Sequence, residues 1–79
     1  MAKLSDEDII LKNAIAARIA ELRQKTGLSQ SEFAKKHDMD RQQLHSWESE
    51  NNPRGVTVYS INRFCKMVGI TLAEFFQPL

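Results

Sequence analysis

At 79 residues, 42% of them hydrophobic, the chain has room for one small core and no second, so a single domain over residues 1–79 is expected. No apolar run approaches the roughly 18 residues of a membrane span, the start MAKLSDEDII has no signal-like stretch, and Cys65 has no partner for a disulfide, which together point to a cytoplasmic protein without membrane contact. A net charge of +1, repeated over residues 23–54 as six bases against five acids, excludes bulk electrostatics as the main source of affinity for a polyanion.

Ser5 with Asp8 has the spacing of a capping box, in which each side chain satisfies a backbone N–H of the other, and opens a long first helix. Leu11, Ile15, Ile19 and Leu22 share one face of it and are expected to look inward, and Gly27 ends it. Ser29 with Glu32 opens a second helix carrying Phe33 and Ala34, and Asp40 with Gln43 opens a third carrying Leu44 and Trp47. Both are shorter than the about 12–15 residues at which an isolated helix becomes marginally stable, so their apolar residues must pack on the rest. The loop ENNPRGV at 50–56 leads to a fourth helix, capped by Thr57, with Val58, Ile61, Cys65 and Val68 on its inward face and Gly69 at its end. Thr71 with Glu74 opens a short fifth helix, which Pro78 stops. With no strand pattern and no repeat, the fold class expected is all-α, a compact five-helix globule.

Residues 29–48, SQSEFAKKHDMDRQQLHSWE, place a helix of about eight residues, a turn of three or four, and a second helix. This is the spacing of a helix-turn-helix unit over 30–47. Ala34 fits it: where two short helices cross, a small side chain on one lets the backbones approach, while Leu44 and Trp47 fill the space beside it.

From about Ile15 to Phe76 the chain resembles the Cro/CI-type (XRE-like) helix-turn-helix domains of phage repressors and bacterial transcription regulators. The likeness runs through IAARIAELRQKTGLSQSEFA, then RQQLHSWE, and closes on MVGITLAEFF. It implies a lambda-repressor-like fold with the helix-turn-helix at helices 2 and 3, and it leaves residues 1–12 as an N-terminal extension of helix 1. Three departures stand out. Asp38 occupies a turn position that is usually Gly, and Glu50 follows helix 3 where Gly is usual. The loop before helix 4 is about three residues longer than in the family. Asp and Asn are the least costly non-glycine residues in left-handed backbone, so Asp38 is expected to serve in the turn, and Asn51 or Asn52 to replace Glu50.

The resemblance implies binding of double-stranded DNA, with the third helix in the major groove and its N-terminal end leading. Arg41, Gln42 and Ser46 match the base-reading positions, and Gln43 and His45 are further candidates. Arg pairs with two acceptors of guanine and Gln bidentately with adenine. Ser29 and Gln30 stand where the free N–H groups of helix 2 favour a phosphate, and Asn51, Asn52 and Arg54 are backbone-contact candidates in the following loop. Arg23 and Glu48 form the family's structural pair, holding helix 3 to the end of helix 1, and Arg23 is also a phosphate candidate. The function expected is that of a repressor-like transcriptional regulator.

Chemistry is not expected. His37, His45 and Cys65 form no recognisable reactive set, and no metal-ligand spacing or phosphate-cradling glycine loop is present, so neither catalytic or metal-binding residues nor a cofactor or small-molecule ligand is expected. The rival to DNA binding is a protein-interaction module, or an antitoxin-like partner, on the same fold, which the weak net charge and the acids Asp38, Asp40, Glu48 and Glu50 favour. Phe64, Met67, Phe75, Phe76, Pro78 and Leu79 form an apolar cluster that would either serve a homodimer or simply close the core.

Overall fold

A computed structural model describes residues 4–79, so Met1, Ala2 and Lys3 of the N-terminal extension lie outside the described residues. The order is α1 (Asp6–Lys25), α2 (Gln30–Lys36), α3 (Arg41–Glu48), α4 (Val58–Val68) and α5 (Leu72–Phe76). The protein is all-α, and the described residues form the five helices that the caps predict. None of the described helices is long and apolar enough to cross a membrane.

Three of the four capping boxes close. Ser5 Oγ accepts from the Asp8 N–H at 3.1 Å while Asp8 accepts from the Ser5 N–H at 3.2 Å, and Ser29 with Glu32 and Thr71 with Glu74 repeat the exchange. Asp40 departs from the expected box with Gln43: its carboxylate accepts from the Gln42 N–H at 2.8 Å. The cause is local, since ψ is 128° at Asp40 against 170° at Ser29, which turns the carboxylate one residue short. Thr57 caps α4 by accepting from the Ser60 N–H at 3.1 Å.

Packing explains why two such short helices persist. α1 lies against α3 and α4, α2 against α3, and α5 against α4. Phe64 of α4 is the hub of the core, with ring centroids 5.7 Å from Phe33, 6.3 Å from Trp47 and 6.5 Å from Phe75. Ile19, Leu22, Leu44, Ile61 and Cys65 complete it, and each large apolar side chain buried there contributes about 1.5–3 kcal/mol. Ala34 is buried at the α2–α3 crossing, as its size predicts. Arg18 of α1 closes the far end, donating to the carbonyls of Phe75 at 3.0 Å and Glu74 at 3.1 Å, with its guanidinium 5.9 Å from the Phe75 ring centroid. It thereby satisfies carbonyls that a five-residue helix cannot satisfy itself.

The core corrects two expectations and decides between two readings of a third. Leu11 is 50% exposed and Val58 61% exposed, because each lies in the first turns of a helix that overhangs the core at that end. Phe64 and Phe75 are fully buried and close the core of one chain, so they are not available to a dimer contact. Met67 and Phe76 are half-buried, and only Pro78 and Leu79 of that cluster are exposed.

Two turns then set the position of α3. Asp38 has φ 52°, the one non-glycine residue with positive φ among those described. The Met39 N–H reaches back to the Ala34 carbonyl at 2.9 Å and the Asp38 N–H to Lys35 at 3.3 Å, which closes α2 by the double hydrogen bond of a Schellman ending. Asp38 therefore does what glycine does in the family. Beyond α3 the expectation fails: neither Asn51 nor Asn52 is left-handed, Ser49 leaves the helix extended at φ −87° and ψ 124°, and the left-handed residue comes later, at Gly55 with φ 70°. The longer loop spreads the reversal over more residues, so no turn is forced immediately after the helix.

Candidate nucleic-acid interface

The third helix is held by charge as well as by its apolar face. Arg23, near the end of α1, donates through Nε to Glu48 Oε2 at 2.7 Å and through Nη2 to Glu48 Oε1 at 3.1 Å, a bidentate pair whose side chains are 12% and 7% exposed. Its remaining terminal nitrogen donates to the Leu28 carbonyl at 2.8 Å. Gln30, the first residue of α2, adds a donor to the same carboxylate at 3.1 Å. One glutamate at the end of α3 thus gathers α1, α2 and α3, and its charge is neutralised inside the fold.

This arrangement alters the local charge reading. Of the four acids near α3, Glu48 is turned inward, and Asp38, Asp40 and Glu50 are exposed. Leu44 and Trp47 anchor the opposite side of α3 in the core, while Arg41, Gln42, Gln43 and His45 are exposed. Gln42 and Ser46 are four residues apart and so lie above one another on the helix surface, as do Arg41 and His45. Arg41, Gln42 and His45, among the expected base readers, share the exposed side away from Leu44 and Trp47, on a helix whose N-terminus is fixed by the Asp40 cap.

Ser46 differs from the others in being half-buried. The Asn52 side-chain amide donates to Ser46 Oγ at 3.0 Å and to the Ser46 carbonyl at 3.3 Å, and reaches the Gly55 carbonyl at 3.4 Å. Its own oxygen accepts from the Arg54 N–H at 3.1 Å. Asn52, expected to face phosphate, directs its side chain into the loop, whereas Asn51 and Arg54 are exposed. Arg54 lines a shallow groove with Leu4, Asp8, Leu11 and Val56 against the start of α1.

At the mouth of α2 the Ser29 hydroxyl accepts from the Glu32 N–H, and the Phe33 N–H bonds to the Ser29 carbonyl at 2.8 Å. Hydrogen bonds from Ser29, first through its backbone N–H and then through its hydroxyl, hold the Glu32 carboxyl below its ordinary range. Cys65 is the reverse case: burial pushes its thiol above the ordinary value, which fits a core residue and not a nucleophile.

Lys12 was missed in the sequence, although its position carries a signal. It falls on the same row of α1 as Ile15 and Ile19, where a hydrophobic pattern leaves a lysine unexplained. Its ammonium donates to the carbonyls of Glu50 at 2.8 Å and Asn52 at 2.9 Å, binding the long loop to α1. The stem packs close to Gly55, where an added Cβ would meet Lys12 Cγ at 3.3 Å.

A short helix closed by a left-handed turn, then a clamped helix with an exposed polar face, defines a helix-turn-helix unit. The helix-turn-helix family profile matches residues 19–75, from the middle of α1 into α5. The chain belongs to the Cro/CI-type helix-turn-helix family, a typically non-enzymatic family of DNA binding and transcription regulation. No curated protein and no solved structure matches it.

Proposed function

We propose that residues 1–79 form one sequence-specific, repressor-like regulator that binds double-stranded DNA in the cytoplasm with α3 in the major groove. Arg41 and Gln42 lead the readout, with Gln43, His45 and Ser46 behind them. The free backbone N–H of Gln30, together with Asn51 and Arg54, meets the phosphates and fixes the register, while the Ser29 N–H is held in its capping box with Glu32. The supporting observation is the clamp of Arg23 and Gln30 on Glu48, which holds the exposed first turn of α3 at a fixed angle to the rest of the fold. Preorganisation of this kind lets binding energy go into contacts with bases in place of ordering the helix.

With a net charge of only +1, nonspecific affinity is weak, and two copies on neighbouring half-sites about 34 Å apart supply the missing strength. Met67, Phe76 and Leu79 are the residues of the C-terminal cluster left to join such copies. Sedimentation with and without a selected duplex reads the assembly directly.

The deciding experiment is selection of bound sequences from a random duplex pool, followed by affinity measurements over a series of salt concentrations. DNA binding gives a defined site and an affinity that falls steeply with salt. Arg41→Ala relaxes one base position by about 1–3 kcal/mol, whereas Arg54→Ala weakens all sequences alike. Absence of any salt-dependent binding would refute the proposal and favour a protein-interaction module on the same fold.

A further inference from the structure

Ser46 stands among the proposed base readers, yet a serine hydroxyl ordinarily has no preference: it donates to one base edge as readily as it accepts from another. Its surroundings here bias that choice. The orientation of the Asn52 amide is fixed by its neighbours, since its oxygen takes the Arg54 N–H at 3.1 Å and its nitrogen faces two groups that can only accept, the carbonyls of Ser46 and Gly55. A flipped amide would set oxygen against oxygen and nitrogen against nitrogen. The same nitrogen lies 3.0 Å from Ser46 Oγ and cannot accept, so the Ser46 hydroxyl takes it on one of its two lone pairs and turns its proton away from Asn52 toward another partner. Lys12 holds this arrangement in place through the Asn52 carbonyl at 2.9 Å and the Glu50 carbonyl at 2.8 Å.

We infer that Asn52 is a specificity-determining positioning residue, which turns the Ser46 hydroxyl proton toward an acceptor on a base edge and is itself secured by Lys12. The inference rests on the proposed DNA-binding role and adds the polarity of one contact. A serine set as donor favours guanine or thymine, whose major-groove edges accept, over cytosine, whose amino group donates. Neither Ser46 nor Asn52 carries charge, so replacing either leaves the salt dependence of binding unchanged.

The test compares the sequences that the full chain selects from a random duplex pool with those selected by variants, each first checked for an unchanged helical spectrum and thermal midpoint. Ser46→Ala flattens one base position, about tenfold in discrimination, and so identifies it. Asn52→Ala flattens that same position, the double variant does no more than either single one, and the salt dependence of binding is unchanged in all three. Asn52→Asp, whose carboxylate can only accept, takes the Ser46 proton and moves the preference at that position toward a donating base. Should Asn52→Ala not fold, Lys12→Met loosens the same loop and flattens the position, and Lys12→Arg, which can donate to both carbonyls, restores it.

If Asn52→Ala weakens every sequence equally, Asn52 is a backbone contact and the inference fails. It also fails if Asn52→Ala, or Lys12→Met in its place, leaves the selected profile untouched, or if Asn52→Asp folds and keeps the wild-type base. A wild-type chain that selects no sequence and shows no salt-dependent binding is a different result, and it overturns the proposed function itself.

Discussion

Replacing Arg23 with Met should be among the most damaging single changes this chain can suffer, although Arg23 lies outside the apolar core. Glu48 accepts three hydrogen bonds, two from Arg23 and one from Gln30, and its side chain is only 7% exposed. Without Arg23 the carboxylate keeps its charge, loses two of those donors and has little water to replace them. Stranding a buried charge in this way costs about 3–5 kcal/mol, against a total stability of about 4–12 kcal/mol for a domain of this length. With a urea dependence of about 1 kcal/mol per molar, the midpoint should fall by about 3 M or more, or the variant should be unfolded at the outset. Urea is the denaturant to use, because guanidinium salts screen the pair being measured. Glu48→Gln keeps the shape and removes the charge, and should cost less, about 1.5–3 kcal/mol. The double variant Arg23→Met/Glu48→Leu removes both charges and should be more stable than Arg23→Met alone. If each single change costs under about 1 kcal/mol and the two simply add, the pair behaves as an exposed surface contact and the clamp has no energetic weight.

Three further outcomes follow from the same structure. Asp38→Gly should stabilise the chain by up to about 1 kcal/mol by relieving a left-handed backbone, whereas Asp38→Val should cost at least about 1 kcal/mol; equal stability of the two by thermal unfolding would contradict the role given to that turn. Cys65, fully buried with its thiol pushed up by burial, should resist iodoacetamide in the native state and react once urea unfolds the chain; rapid native labelling would show that α4 opens locally. Glu32 has a lowered pKa in the fold, so its contribution is present above the ordinary glutamate value of 4.5 and is lost as pH falls through the lowered one. Glu32→Gln should therefore shrink the loss of thermal stability in acid, and parallel acid limbs for variant and wild type would show that the capping box contributes nothing.

Much of the fold is local in origin and was legible for that reason. A capping box is a contract between residues three apart, so Ser5, Ser29 and Thr71 announce their helices whatever the rest of the chain does. Asp38 was readable too, because its tolerance of left-handed backbone belongs to the residue itself. The polar run of Arg41, Gln42, Gln43 and His45 could be assigned to an exposed face once Leu44 and Trp47 were assigned to the core.

Other features depend on where helices end relative to one another, and helical periodicity carries no such information. Leu11 and Val58 have the spacing of core residues, yet each is at least half exposed on the first turns of its helix, outside the core. Phe64 and Phe75 could be read as serving a partner or as closing the core, and the tertiary packing decided for the core by making Phe64 the hub to which Phe33, Trp47 and Phe75 all turn. Lys12, Gln30 and Asn52 acquire their roles from carbonyls and carboxylates that lie 18 to 40 residues away in sequence, or from a loop whose path no turn signature fixed.

The sequence by itself determined the helices, their caps, the helix-turn-helix spacing and the Arg23–Glu48 pair, because each is set by short-range geometry or by a recognisable order of residues. Only the tertiary structure decided which apolar residues close the core, how the long loop is tied to α1, and which way the Ser46 hydroxyl is set. Those depend on atoms brought together from distant parts of the chain, and a hydrogen bond has a direction only when both of its ends are in place.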